Sequence, residues 1–472
     1  MQICFRTPAS CFNAKQLTND EKMTSLIYYL KKNAYRTPRF LGNAVAHVPY
    51  SLRLGFGSDY RNARATRRWL EEEATLEEER SYIFENVSRI VRHASANVPF
   101  YAQFYAENGF NPNSLRSFED LTKIPIVTKS LLQTTELEHR SFRRQGRTPT
   151  YTGGSTGEPF KFYSDSRQIG VEWAHIHHIW ESLGYRQSDL LLSVALDETR
   201  PPIYYDALRH SLVLNIHYSF DTLIQTFMKI PRRARRIRFF RGYPSSFAEF
   251  LSYCEEKAPL ALSELLETLK GSFLASEFPT PSFRKTIEQA TCRPTISWYG
   301  HSERAILAWE KTRSWLYEPM HSYGYCEAVR LPDGFVTLVG TSYWNFASPF
   351  IRYQVDDGIL PIDENDGILR SFEIQDGRRT DFIIDKNGAR FSITHLNLSC
   401  QESTWALARC VQVEQKKPGT AIFWVTPRRT VTVEELKSAF NFDRLNLECE
   451  FRIVEKPFVS ARGKVLLKVS TE

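Results

Sequence analysis

Residues 271–303 read GSFLASEFPTPSFRKTIEQATCRPTISWYGHSE. Two short apolar runs of strand length, Phe273 to Ala275 and Thr295 to Trp298, bracket a helical stretch from Pro281 to Ala290. Strand, helix and strand in this order is the unit of a parallel sheet, because parallel neighbours need a crossover connection. In open sheets of this kind, ligands gather at the carboxyl ends of the strands. Ser276 and Glu277 follow the first run, and Tyr299-Gly300-His301-Ser302-Glu303 follow the second. One rim is therefore expected to carry an aromatic face that could stack on a base and a carboxylate that could hold Mg2+ near phosphates. The same residues also fit a plain strand end followed by a helix cap.

Outward from this unit the alternation continues. Leu190 to Ala195, Leu212 to Ile216 and Phe239 to Arg241 are further apolar runs of strand length, and Ser246 to Glu256 reads as a helix between strands. Before them, Ile169 to Leu183 looks helical and carries His175, His177 and His178. Only His175 and His178 share a face, so satisfied or pocket-lining histidines are expected in preference to a metal site.

Further upstream, Thr152-Gly153-Gly154-Ser155-Thr156-Gly157 combines three glycines with three hydroxyl residues. Glycines allow close backbone approach and convergent N–H groups, and hydroxyls add donors that follow phosphate oxygens. No Lys-Ser or Lys-Thr follows the last glycine, so this is not a Walker loop. A Gly/Ser-rich surface turn has the same composition. Thr75 and Glu78 form a capping box before a run in which Ile83, Val87, Ile90 and Val91 repeat at helical spacing. Ser117 with Asp120 opens another short helix.

Downstream of Asp333 the pattern changes to antiparallel hairpins, with Asn387-Gly388 as a strong turn signal. The last hundred or so residues read as a small α+β unit. It has strands near Val411, Ala421 to Val425, Cys449 to Val454 and Val465 to Val469, and a helix opened by Thr432 and Glu435. The expected organisation is an N-terminal extension (1–70) packing on the core, a large α/β domain with mixed or parallel sheets (71–376) and a small mobile α+β domain (377–472).

Composition excludes several classes. With 472 residues, 42% hydrophobic and 24% charged, the chain is neither disordered nor fibrous. No apolar run approaches the roughly 20 residues of a membrane-spanning helix. The N-terminus lacks a basic-then-apolar signal pattern, so a cytoplasmic protein is the default expectation. Eight cysteines without a Cys-x-x-Cys pair suggest reduced, mostly buried thiols rather than a zinc site. The net charge of +7 hints at an anionic ligand or surface. Arg232, Arg233, Arg235, Arg236, Arg238 and Arg241 form a basic cluster whose plain reading is a solvated face. Nucleic acid ranks lowest among its ligands, because no recognition motif accompanies the charge.

Taken together, the motifs resemble the adenylate-forming superfamily, in its phenylacetate-coenzyme A ligase branch with CapK-like relatives of capsular polysaccharide biosynthesis. Thr152 to Gly157 with Glu158-Pro159 resembles the family's phosphate loop, and Ala275-Ser276-Glu277 its adenine-side motif. Tyr299 to Glu303 resembles the aromatic-Gly-x-Ser/Thr-Glu motif, and Pro349-Phe350-Ile351-Arg352-Tyr353 through Asp357 the segment whose aspartate grips the ribose. Gly377-Arg378 with Asp381 resembles the hinge, and Arg462-Gly463-Lys464 the C-terminal lysine motif. Asn97 to Tyr101 and Pro125 to Lys129 also look like this branch. Three positions depart from it: Glu158 where a basic residue is common, Asp356 where a glycine is common, and Thr380 where an acidic residue is common.

The resemblance implies ATP-dependent activation of a carboxylic acid to an acyl-adenylate, with pyrophosphate released. Lys464 would bridge the attacking carboxylate and the phosphate, Ser302 would donate to the α-phosphate, and Glu303 would hold Mg2+. Thr152 to Gly157 would cover the β- and γ-phosphates, Ser276, Glu277, Tyr299 and Gly300 would lie on the adenine side, and Asp357 and Arg378 would bind the ribose. His301 is a candidate contact to the acid or the acceptor, and Tyr243 to Phe247 are candidate acyl-pocket residues. The acyl acceptor would be coenzyme A, or an amine or hydroxyl of a sugar or polymer, including an anionic or membrane-associated glycan at a peripheral membrane location. A homodimer and a catalytically inactive nucleotide-binding scaffold of the same fold remain as alternatives.

Overall fold

The computed structural model describes residues 34–53, 57–152, 160–378, 382–393, 402–440, 446–460 and 465–470. The glycine-loop residues 153–159, the hinge residues 379–381 and the lysine motif 461–464 lie outside them.

Strands β1 (Thr148–Tyr151) and β2 (Lys161–Ser164) form an antiparallel hairpin, and the glycine loop is its connection. Twelve further strands make one sheet: β3 (Leu191–Ala195), β4 (Ile203–Asp206), β5 (Ser211–Asn215), β6 (Phe239–Gly242), β7 (Gly271–Leu274), β8 (Thr295–Gly300), β9 (Leu307–Trp309), β10 (Leu316–Pro319), β11 (Gly324–Arg330), β12 (Val336–Ser342), β13 (Tyr353–Asn365) and β14 (Ile368–Arg378). Their spatial order is β11-β12-β13-β14-β10-β9-β8-β7-β6-β3-β5-β4.

The parallel run comprises β5, β3, β6, β7 and β8. Its crossovers include the helices Pro244–Lys257 and Pro281–Thr291. Both start with proline at the first turn, where no N–H partner is needed. The sheet is less parallel than the sequence suggests, because β9 turns straight back along β8, pairing Tyr299 with Ala308 and Gly300 with Leu307. The reversal uses Arg304 at φ 56. Tyr299 and Gly300 therefore end β8 instead of lying beyond it.

Helices cover the sheet through apolar stripes. Thr75 and Glu78 complete the expected capping box, and Ile83, Val87, Ile90, Val91 and Ala94 of the helix Leu76–Asn97 face inward. The helix Gly57–Glu72 was not legible, because its inward positions are Gly57, Tyr60, Ala63 and Arg67, with one large apolar side chain among them. It packs on the helix Arg167–Glu181 through polar contacts: Tyr60 Oη to His177 Nδ1 at 3.0 Å, Arg64 to Glu181 at 2.8 Å and Arg67 to His178 Nε2 at 3.1 Å. His175 is enclosed between the Val171 carbonyl and Ser322 Oγ, each at 2.8 Å. Burial pushes His175 down to about 4 and His177 and His178 to about 3, so all three are neutral at pH 7. They are packing residues, and no three-ligand metal cluster occurs among the described residues.

The C-terminal part holds the hairpin β15 (Phe382–Ile384) and β16 (Arg390–Ser392), with Gly388 of the expected Asn-Gly turn at φ 82. Strands β17 (Ala408–Glu414), β18 (Thr420–Pro427) and β19 (Glu448–Ile453) form a separate sheet, backed by the helix Val433–Ala439 with its Thr432/Glu435 capping box. Val465 to Val469 is not the expected strand. It makes isolated bridges, Val459 to Val465 and Val413 to Lys468. Of the cysteines, Cys254, Cys326 and Cys410 are buried free thiols, whereas Cys292 is exposed.

Candidate active site

One irregular segment, residues 345–354, ties the site together. Tyr101 Oη donates to the Pro349 carbonyl at 2.8 Å and accepts from the Ile351 N–H at 3.3 Å. Val127 brackets Tyr353 on both sides, donating to the Arg352 carbonyl at 3.0 Å and accepting from the Gln354 N–H at 2.9 Å. The two upstream motifs, Asn97 to Tyr101 and Pro125 to Lys129, thus act as fasteners for the strand that bears Tyr353 and Asp357. Arg352, at φ 41, completes the clamp through Glu327 at 3.0 Å and the carbonyls of Thr122 and Ile124.

The root of the glycine-loop hairpin is bound to the same segment. Asn345 Nδ2 donates to the Tyr163 carbonyl at 3.0 Å, the Tyr163 N–H donates to Ser348 Oγ at 3.0 Å, and Phe162 meets Phe350 edge-on with centroids 5.2 Å apart. Across the mouth of the loop, the Thr152 N–H donates to the Phe160 carbonyl at 2.9 Å and Thr152 Oγ1 accepts from the Phe160 N–H at 3.2 Å. The residues between, 153–159, with Gly153, Gly154, Ser155, Thr156 and Gly157 among them, are outside the described ones. The pinch fixes where they leave and re-enter the fold.

At the carboxyl end of β8 the expected side chains converge in two hydrogen-bonded groups. Tyr299 Oη donates to Asp357 Oδ2 at 2.6 Å, and its ring is held edge-on by Phe372 at 5.7 Å. In the β13–β14 ladder Asp357 pairs with Arg378, so the two residues expected at the ribose are backbone neighbours. In the second group, Glu303 is buried and receives Tyr353 Oη at 3.1 Å on one oxygen and His301 Nδ1 at 3.2 Å on the other. Burial pulls the Glu303 carboxyl upward, but the hydrogen bond and charge of His301, with Tyr353, outweigh it and hold the group below the ordinary carboxylate range. His301 Nε2 is buried and has no hydrogen-bond partner among the described residues. Ser302 and Ser276 are exposed at the rim, Ser276 at φ 69.

Glu277 occupies a different role from a free rim carboxylate. One oxygen accepts from Ser245 Oγ at 2.6 Å and the Ser245 N–H at 3.3 Å, and the other accepts from the Val465 N–H at 2.8 Å. It joins the end of β7 to the start of the Pro244–Lys257 helix and to the C-terminal part. Lys464, the sequence neighbour of Val465, lies outside the described residues. Tyr353 and Arg352 are site residues whose individual roles the sequence did not reveal. Their signal is the unbroken Phe-Ile-Arg-Tyr run just before the ribose-type aspartate.

The arginine cluster divides. Arg232 pairs with Glu267 at 2.6 Å, Arg235 pairs with Glu264, Arg238 lies 4.0 Å from Asp189, and Arg241 is recessed in the fold. Arg233 and Arg236 are exposed.

No protein-family model matches the chain. It is 37% identical over 372 residues to the phenylacetate-coenzyme A ligase of Aromatoleum evansii, covering 73% of this chain and 80% of that one. The chain belongs to the adenylate-forming superfamily, in the phenylacetate-coenzyme A ligase branch. Protein CapK of Staphylococcus aureus is 20% identical over 73% of this chain and 78% of its own. Among solved structures, 2-hydroxyisobutyryl-CoA ligase in its postadenylation state superposes with TM-score 0.64 at 16% identity, over 83% of this chain and 89% of that chain. The GH3.15 acyl acid amido synthetase gives 0.56 at 12% identity, over 86% and 94%. These two share the fold of this adenylate-forming protein. No helix among the described residues is long and apolar enough to cross a membrane.

Proposed function

We propose that this protein is an AMP-forming ligase that activates a carboxylic acid with ATP and passes the acyl group to coenzyme A. The observation that carries the reading is the pair of linked groups at the end of β8, Tyr299 with Asp357 and His301 with Glu303 and Tyr353. They lie in a chain that shares 37% of its residues with a phenylacetate-coenzyme A ligase over the matched length. The large domain would end near residue 376 and the small one, from 377, would move about the hinge. The CapK likeness keeps an amine or hydroxyl of a sugar polymer as the second acceptor class. An inactive scaffold is disfavoured, because no charged group that the chemistry requires is missing from the sequence.

In the first half-reaction, a carboxylate oxygen of the acid forms a bond to the α-phosphorus, and the bond to the pyrophosphate oxygen breaks. Two anions meet, so the site must supply positive charge and N–H donors. Lys464 is assigned to bridge carboxylate and phosphate, Ser302 to donate to an α-phosphate oxygen, and Thr152 to Gly157 to cover the outer phosphates. Asp357, aligned by Tyr299, and Arg378 would hold the ribose, with Ser276 and Gly300 along the adenine side. Glu303 fits Mg2+: each of its oxygens is engaged once and keeps a lone pair, and Mg2+ takes one or two carboxylates where phosphates supply the rest. Bound there, Mg2+ would neutralise phosphate charge. In the second half-reaction the acceptor's nucleophilic atom bonds to the acyl carbon and AMP leaves.

The test is ATP-pyrophosphate exchange across a panel of carboxylic acids. Exchange with at least one acid is expected, followed by acyl transfer to coenzyme A in an acceptor screen. Absence of exchange with every acid would leave the scaffold reading in its place.

A peripheral membrane location is supported by the first described helix. Arg39–Ala46 turns Gly42 and Ala46 inward and leaves Phe40, at 71% exposure, and Leu41 and Val45 outward, followed by exposed Val48 and Leu52. Gly42 is required there, since a Cβ would run into the Tyr205 ring. Residues 34–53 contain three arginines and no acidic residue. Arg39 donates to the Ala234 carbonyl, which sets exposed Arg233 and Arg236 beside this apolar face. An apolar face with a basic border suits an anionic phospholipid surface. Full-length protein is expected to float with vesicles containing phosphatidylglycerol and not with phosphatidylcholine alone, and Phe40→Ser/Leu41→Ser to lose most of that binding. Equal recovery with both vesicles, or an unaffected double variant, would remove the assignment.

A further inference from the structure

We propose that the acid activated by this ligase carries a second anionic group, and that Arg241 at the carboxyl end of β6 holds it. This rests on the adenylation reading and narrows its substrate class. Arg241 is flanked in the sheet by Ser193 of β3 and Phe273 of β7. Strand alternation puts it on the face of Phe239. On that face Phe239, Phe273 and Trp180 form a continuous aromatic stack with successive centroids 4.8 Å apart. The guanidinium carbon of Arg241 lies 5.9 Å from the centre of the Trp180 ring, at the site-facing end of the strand.

The described fold leaves part of this cation unmatched. Its Nε is inaccessible and has no hydrogen-bond partner, and no carboxylate of a described residue forms an ion pair with it. The residue as a whole remains half-buried, so part of its surface faces open space. The charges nearest to it are already committed: Asp206 pairs with Arg209 at 2.7 Å, and Glu172 pairs with Arg304 at 2.6 Å. Two neutralised pairs and one cation without an ion pair leave this end of β6 positive. Desolvation lowers Arg241 to about 10, which still leaves it charged at neutral pH.

A purely structural role does not account for the arrangement. A cation–π contact at this distance returns a small part of what it costs to take a guanidinium out of water without a partner. A methionine of similar length would fill the same space on the aromatic stack at no such cost. Glu172, whose charge acts on Arg241, also pairs with Arg304, the residue after Glu303. Arg241 and the adenylating groups lie at the carboxyl ends of β6 and β8, parallel strands separated by β7, so an acid with one carboxylate at the α-phosphate could extend its far end along this rim toward Arg241. A carboxylate or other anion there would meet a rigid donor fork.

The test is ATP-pyrophosphate exchange by the full-length enzyme with dicarboxylic acids, aliphatic and aromatic, each paired with its monomethyl ester. Wild type is expected to prefer the diacid. Arg241→Met is expected to reduce the diacid-to-half-ester ratio of kcat/KM by roughly 100-fold or more, with Arg241→Lys intermediate. The melting temperature of Arg241→Met should equal or exceed that of wild type, because a partly desolvated charge without an ion-pair partner among the described residues has been removed. Wild type that uses diacid and half-ester equally, or an Arg241→Met enzyme that loses both alike or melts well below wild type, would overturn the inference while leaving adenylation in place. Failure of every acid to support exchange would overturn the adenylation reading and this inference with it.

Discussion

Lys464→Ala is expected to lower ATP-pyrophosphate exchange by about 10²–10⁴-fold while leaving ATP affinity nearly unchanged. The physical reason lies in what the first half-reaction asks of the site. A carboxylate approaches a phosphate that is already anionic, and charge on the phosphorus oxygens grows as the bond forms. A cation about 4 Å from such an oxygen contributes on the order of 4 kcal/mol at an effective dielectric near 20, about three decades in rate. In the proposed site ATP would have other holds: Asp357 with Tyr299 at the ribose, and the glycine loop whose mouth Thr152 and Phe160 close. The loss should therefore fall on kcat. The structure bears on one neighbour, since Val465 donates its N–H to Glu277 at the end of β7. Transfer from a chemically supplied acyl-adenylate to coenzyme A should survive in Lys464→Ala, because that step forms no bond to phosphorus and brings no carboxylate anion up to the phosphate. Pyrophosphate release unchanged in the variant would sink the assignment of Lys464.

How much of this was legible depended on whether a residue announces itself locally. The β7–β8 unit was readable because short apolar runs, a proline-started helix and rim residues fall in one continuous stretch. The reversal into β9 was not, because it depends on Arg304 adopting φ 56, which nothing in an arginine's neighbourhood advertises. The glycine loop was recognisable by composition, but its setting on a hairpin was hidden in Thr148 to Tyr151, four residues without strong alternation. The upstream Asn97 to Tyr101 and Pro125 to Lys129 segments could be matched to the family without showing their purpose. That purpose is long-range: Tyr101 bonds residues about 250 positions away, and Val127 bridges Tyr353. Glu277 reads as a rim carboxylate in sequence and is a bracket in the fold, since its partners come from Ser245 and Val465. Arg241 was one of six arginines in a run, and only its place on β6 separates it from the exposed Arg233 and Arg236.

The second large effect is expected at Glu303. Glu303→Gln keeps the size of the side chain and an oxygen to accept from Tyr353, and removes the negative charge. In the wild-type site burial alone would favour the neutral acid, yet the hydrogen bond and charge of His301 and the Tyr353 hydroxyl hold the group below the ordinary carboxylate range, so it is ionised throughout the neutral range. That arrangement keeps a buried carboxylate ionised and able to take up a cation. Mg2+ bound with the phosphates would be that cation, and a neutral amide is a far poorer ligand for it. The Mg2+ concentration for half-maximal exchange should rise by roughly 10–100-fold, and kcat at saturating metal should fall by about 10²-fold. The melting temperature should fall modestly, since the fold favours the Glu303 anion at neutral pH and the amide keeps the acceptor for Tyr353 but gives up the one that faces His301 Nδ1. Tyr353→Phe separates the two contributions: it keeps the charge, and its metal titration should move far less than that of Glu303→Gln. A Glu303→Gln enzyme with an unaltered Mg2+ titration would exclude Glu303 as the metal-holding residue and leave it as the partner that orients His301.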